Sequence, residues 1–529
     1  MHPALCIDEV LQLIFDFCGD VSDPEPKWTY AQLARCCKTW ADPALDRLWR
    51  RMGGLKPLLA LLPKSDEFTA EATPIVEAYA QRVRHIVYAD GFVCVPSLKL
   101  SAEHGPNVFP NLESVALVNA GCLAPPAWIQ SPLLQRVAVN LSFSRKPHSV
   151  LDRSAAVARL LPTVPHLRAL QLRGRMSGAL NTVVASLTQL RSLTVHTGDS
   201  LACETLAAIA AFPALRTLEV HASHLRADEL DDAFCQTVQG DMAFFPALEE
   251  LSIRTNAPLL AALLNRMPVG MLCTLSLDMD GDGDGDNSQI GPGPNMKPVF
   301  EVLAQKAAGS LRELLIEDRT VHDEERGNTD ARGYALDTLS PLARMRGLRR
   351  FTLREPDLLD KDLETMARWW PVLERLDLGS LESCTLEGSE EGQLQVEVEA
   401  DGEPEEATQA KSQSQMTSAA YAIVARSFRF LESLALSAPP PCEVATPEER
   451  TKFVAELRSL AVGKASDAAG KVDALAVVDA LLLIFPTVKS MDCPDAEVAA
   501  RFKAVVAGHI FSLTFLHRLD MDDKDSLDT

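Results

Sequence analysis

"HLRALQL" at His166–Leu172, "QLRSLTV" at Gln189–Val195 and "ALRTLEV" at Ala214–Val220 share one pattern: apolar, two variable, apolar, one variable, apolar. The last two apolar positions are two residues apart. On an extended chain they point to one side, so each stretch reads as a short strand with one buried face. The first apolar residue packs where the chain turns into the strand. The pattern recurs in both directions along the chain. "NLESVAL" begins at Asn111 and "LLQRVAV" at Leu133. "ALEELSI" begins at Ala247, "SLRELLI" at Ser310, "GLRRFTL" at Gly347, "VLERLDL" at Val372 and "FLESLAL" at Phe430. "RVRHIVY" near Val83 and "MLCTLSL" near Met271 are weaker copies.

Helical stretches lie between the strands: "SAAVARLL", "ACETLAAIAA", "PVFEVLAQKA" and "DKDLETMARWW". An aromatic-proline pair follows several helices: Phe212-Pro213, Phe245-Pro246 and Trp370-Pro371. Proline cannot continue a helix and favours an extended residue before it. The unit is helix, stop, strand, loop, and stacking such units gives a parallel sheet with one face inward. The spacing is irregular: 23 residues separate Leu167 from Leu190, and 33 separate Leu215 from Leu248. The pattern resembles the leucine-rich repeat from about Tyr79 to Leu519. That resemblance implies an α/β solenoid with parallel strands on the concave side and helices on the convex side. The expected domains are a helical unit at 1–53, a linker at 54–78 and the solenoid at 79–520.

Two insertions interrupt the array. The stretch at about 386–415 is acidic, rich in Gln and Ser, and free of aromatics, so it is expected to be a disordered loop. The stretch at about 278–296 contains Asp280, Asp282, Asp284 and Gly285, which match the start of an EF-hand loop. Its twelfth position is Gly291 rather than glutamate, and its eighth is Asn287. It therefore reads as a loop, and no metal or cofactor is expected.

The chain opens with "ALCIDEVLQLIFDFC", Ala4–Cys18. On a helix, Asp8, Glu9, Gln12 and Asp16 fall within an arc of about 100°. The rest is apolar, more than one buried stripe needs. "TYAQLARCCKTW" follows, with Thr29 placed to cap a second helix. Pro43 suits the first turn of a third helix carrying Leu45, Leu48 and Trp49. So many large apolar residues in about fifty residues point to a partner surface.

This arrangement resembles an F-box, through Glu9, Ile14-Phe15, the small-residue helix from Leu33 to Trp40, Pro43 and Leu48-Trp49. Where that family has Leu-Pro before the helix, this chain has Cys6-Ile7. With its longer first loop and irregular repeats, the chain is similar to F-box proteins of mushroom-forming fungi. The resemblance implies a substrate-receptor subunit of an SCF-type ubiquitin ligase. Its partners would be a Skp-family adaptor, the cullin complex and a protein substrate. The adaptor contacts would be Ile7, Val10, Leu11, Ile14, Phe15, Leu33, Trp40, Pro43, Leu48 and Trp49. The alternative is a leucine-rich-repeat scaffold whose N-terminal helices cap the array.

The bulk composition agrees with either reading. A net charge of −22 over 529 residues argues against a duplex-binding or anionic-membrane protein. The twelve cysteines form no C-x-x-C pair, so zinc and RING spacings are missing. There is no P-loop or G-x-S-x-G motif, and no catalytic constellation stands out, so no enzyme activity is expected. The start carries no basic segment or cleavage site, and a cytoplasmic or nuclear location is the expectation. Within the repeats, the residue after the last apolar position reads Arg173, His196, His221 and Arg254 in consecutive units. That basic stripe is the expected substrate contact.

Overall fold

The computed structural model describes residues 7–18, 26–61, 73–88, 108–118, 131–143, 147–237, 244–279, 296–318, 334–354, 356–379, 416–441, 455–463 and 474–506. It divides into two compact units, Met1–Leu248 and Glu249–Thr529.

The first unit begins with three helices, α1 (Asp8–Phe17), α2 (Pro26–Cys36) and α3 (Lys38–Arg50). The break between α2 and α3 falls at Cys37, so Pro43 lies inside α3 rather than opening a helix. Thr29 correspondingly lies inside α2 instead of capping it. Position explains the tolerance. The Cys37 carbonyl accepts from Trp40 and Ala41, and Pro43, in the second turn, leaves the Thr39 carbonyl without its helical donor.

Strand β1 (Arg51–Met52) follows α3 without a loop. Six more strands follow: β2 (His85–Tyr88), β3 (Ser114–Leu117), β4 (Arg136–Ser142), β5 (Ala169–Gly174), β6 (Ser192–His196) and β7 (Thr217–His221). Each pairs in parallel with the next. The repeat sets the register: Leu170, Leu193 and Leu218 are direct partners, as are Leu172, Val195 and Val220. All six are buried, and so are the turn-in residues Leu167, Leu190 and Leu215. At about 1.5–3 kcal/mol for each buried aliphatic side chain, this ladder of leucines is the main stabilising element of the unit.

One irregularity breaks the ladder. The register shifts between Asn140 and Ser142, and Ser142 takes φ +69°. The Asn140 side chain accepts from the Ser142 amide at 3.0 Å. The partner position is Gly174 at φ +108°, where a Cβ would lie 2.6 Å from the Ser142 backbone nitrogen and oxygen. Only glycine fits there.

The second unit repeats the scheme with β8 (Glu250–Thr255), β9 (Thr274–Met279), β10 (Glu313–Asp318), β12 (Arg350–Leu353), β14 (Arg375–Leu378), β15 (Ser433–Leu436), β16 (Ser459–Val462) and β17 (Ser490–Asp492). These pair in parallel in that order. A separate parallel pair joins β11 (Tyr334–Ala335) to β13 (Pro356–Asp357). β1, β16 and β17 are strands that the repeat reading did not mark.

The helix stops have a second role. Phe212, Phe245 and Trp370, each before a proline, are all buried. Trp370 is fully buried, and its indole N–H donates to the Leu342 carbonyl at 3.1 Å. The insertion expected from 278 starts later, because Asp278 and Met279 complete β9. Residues 280–295, with Asp280, Asp282 and Asp284, and the 386–415 insertion lie outside the described residues.

Candidate functional site

One side of the apolar circumference of α1 is covered by its own chain. Leu11 and Phe15 turn inward and form a small core with Tyr30 and Ala44. Ile14, Leu33, Ala34, Trp40 and Leu48 pack around it. The Phe15 ring meets Tyr30 and Trp40 edge-on at 6.4 and 6.1 Å. The Tyr30 hydroxyl donates to the Phe15 carbonyl at 2.7 Å, tying α2 to α1. Arg47 on α3 donates to the Gln12 side chain at 2.9 Å.

The other side is open. Val10, Leu13, Ile14 and Phe17 fall at i, i+3, i+4 and i+7, so they share one face. Leu13 is 60% exposed and Phe17 91%. Ile7, just before α1, is 48% exposed, and Trp28 on α2 is 70% exposed. These four are a third of the twelve large exposed apolar residues among those described, yet they fall within the first 28 positions. Scattered single exposures are ordinary, whereas a helix face built of them offers apolar area that a partner can cover.

The expected adaptor contacts therefore separate. Ile7 is exposed, and Val10, Ile14, Leu33, Trp40, Pro43, Leu48 and Trp49 are half-buried. Leu11 and Phe15 are fully buried and hold the helices together. Trp49 leans on Tyr79 of the helix Thr73–Ala80, with ring centroids 4.8 Å apart. Leu13, Phe17 and Trp28 were not among the expected contacts. For α1 the signal was present in the sequence as the 10, 13, 14, 17 spacing. For Trp28 it was hidden, because α2 starts three residues before the expected cap.

The expected substrate stripe also separates. Arg173 and His196 are direct partners on β5 and β6. The His196 and His221 rings stack at 4.0 Å and 18°. Glu219 sits among them, its carboxylate 2.9 Å from His196 Nε2 and accepting from the Thr194 hydroxyl at 3.3 Å. The hydrogen bond from His196 holds the Glu219 carboxyl below its ordinary range, against the opposing effect of burial. Arg254 belongs to the second unit and faces Asp278 at 3.8 Å. The stripe thus carries its own counter-charges, and Arg173 is its one exposed cation.

Among the described residues, no group of His, Cys, Asp and Glu is arranged to hold a metal ion. None of the described helices is long and apolar enough to cross a membrane.

No protein-family model matches this chain. No curated protein matches it either. Several solved structures align with it in part. A TLR13–ssRNA13 complex aligns at TM-score 0.39 and 13% identity, over 79% of this chain and 50% of that one. An internalin from Listeria monocytogenes aligns at 0.25 and 12%, over 59% of this chain and 64% of that one. Rad7 in the yeast Rad7–Elc1 complex aligns at 0.34 and 14%, over 70% and 88%. The chain thus spans about half to two thirds of the first two. At such identities, function has to be argued from this chain's own residues. Those residues set parallel strands in leucine register and an open sheet face, which is the architecture of a leucine-rich-repeat interaction scaffold.

Proposed function

We propose that this chain is a substrate-receptor subunit of an SCF-type ubiquitin ligase. The carrying observation is the exposed face of α1, Leu13 and Phe17 above all, together with the exposure of Ile7 and Trp28. In this reading that face docks on a Skp-family adaptor linked to a cullin. The repeats hold a protein substrate, and the chain itself performs no chemistry. It supplies effective concentration and orientation of a substrate lysine. The work belongs to the cytoplasm or nucleus, where the ligase machinery is found.

A second reading has its own support. Because α3 runs directly into β1, the three helices also stand where a cap on the sheet would stand. Affinity purification of the tagged full chain, probed for adaptor and cullin, separates the two. Recovery of both supports the receptor. A cap without a ligase role recovers neither, and that outcome would overturn the proposal.

A further inference from the structure

Among the described residues, a second charged row lies at the opposite end of the strands from the expected stripe. In the first unit the residues entering successive strands are Arg50, Arg84, Glu113, Gln135, Arg168, Arg191 and Arg216. Backbone hydrogen bonds of 2.7–3.0 Å run from each to the one before, so they form one continuous row. Six steps of about 4.8 Å make that row about 29 Å long. The next row, in strand register, is Arg51, His85, Ser114, Arg136 and Ala169. Together the rows hold seven arginines and one glutamate on a chain whose net charge is −22. Six of the seven arginines are exposed, and Arg84 is half-buried beside Glu113 at 3.9 Å.

The equivalent row of the second unit is built differently. There Glu249, Cys273, Arg312, Arg349, Glu374, Glu432, Arg458 and Lys489 succeed one another. Arg349 meets Glu374 at 2.6 Å and Arg458 meets Glu432 at 3.8 Å. Like charges on neighbouring strands destabilise a sheet, and there Arg349 and Arg458 are each relieved by a carboxylate on the next strand. In the first unit Arg168 and Arg191 stand on adjacent strands, both exposed. The local field is felt by His85, which is held below its ordinary range first by burial and then by Arg136 and Arg51.

We infer that this arginine band binds an extended acidic protein segment, bearing carboxylates or phosphates, laid across the strands of the first unit. Arginine's planar fork suits carboxylate and phosphate alike. Two residues further along the strands, on the face of Arg51, His85 and Arg136, lie Val87, Ala116, Ala138 and Gln171 in register, and Thr194 and Glu219 close that row. Small aliphatic side chains suit a peptide that alternates acidic and small residues. Single-stranded nucleic acid needs aromatic platforms for its bases, and this row offers none. The inference stands whether or not α1 docks an adaptor.

The test is fluorescence anisotropy of the full chain with a labelled peptide of alternating glutamate and alanine. A phosphoserine version and an oligothymidylate of equal length serve as the other probes. Arg136→Glu with Arg191→Glu should weaken peptide binding about tenfold and flatten its salt dependence. Lys361→Glu with Lys503→Glu, exposed helix positions of the second unit, makes the same change in net charge and should leave binding unchanged. Bound peptide should also raise the His85 titration midpoint toward its ordinary value, read by NMR. Equal losses in both double variants, an unmoved His85, or tighter binding of the oligonucleotide than of either peptide would overturn the inference.

Discussion

Trp370→Ala is the sharpest test of how the repeats hold together. Trp370 ends the helix Asp360–Trp369, precedes Pro371 and is 0% exposed. Its ring lies 4.6 Å from that of Phe351 on β12, and its N–H satisfies the Leu342 carbonyl. Truncating a buried tryptophan costs about 3–5 kcal/mol, and the orphaned carbonyl adds about 1 kcal/mol more. Trp370→Phe keeps most of the ring and loses the hydrogen bond, so about 1–2 kcal/mol is expected. Repeat arrays unfold in pieces, so one global midpoint would blur the effect. Hydrogen exchange at the β12 and β14 amides reads it locally. Protection there should fall by about two orders of magnitude or more in the alanine variant, and by far less in the phenylalanine variant. Alanine exchange rates within fivefold of wild type would refute the idea that the aromatic before each proline is a core residue.

Three further outcomes are expected. Gly174→Ala should destabilise the first unit by about 2 kcal/mol or more, since the added carbon meets the Ser142 backbone at 2.6 Å; urea unfolding checks this, and an unchanged midpoint would count against the bulge. Glu219 is held below its ordinary value, so its contribution is present above about pH 4.3 and lost as pH falls through the lower folded value. Melting curves of Glu219→Gln between pH 3 and 6 should therefore show a shallower acid slope than wild type, and parallel slopes would remove the pairing. Burial and the neighbouring Glu229 and Glu204 push the Cys203 thiol up, while Cys36 and Cys235 are exposed. Iodoacetamide at neutral pH should mark Cys36 and Cys235 well before Cys203, as followed by peptide mass spectrometry; equal rates would contradict the burial.

The strands were legible because their signal is local. In "HLRALQL" the three leucines fix the turn-in, the face and the register at once, and neighbouring copies fix the stacking. β1 was hidden because Arg51–Met52 is too short to show a period. The join between α2 and α3 was misplaced because proline is tolerated near a helix start, so Pro43 alone does not locate the boundary. For the sites, the expected stripe took the residue after the last apolar position. Glu219 and Asp278 supply the counter-charges from across the strand ladder, and a single repeat does not show them. The arginine band was readable one place after the first leucine, in Arg168, Arg191 and Arg216. Its other end, Arg50 and Arg51, needed the knowledge that α3 leads straight into the sheet.

The most direct measurement is a titration of the full chain with a purified Skp-family adaptor, comparing wild type with Phe17→Asp and Trp28→Asp. Both side chains are largely exposed, so the Leu11–Phe15–Tyr30 core and the helical circular dichroism should persist. An apolar anchor at the centre of an interface is worth about 2 kcal/mol or more, so each variant should bind at least about thirtyfold more weakly. Adaptor binding at wild-type strength in both variants, or none by the wild-type chain, would contradict the account.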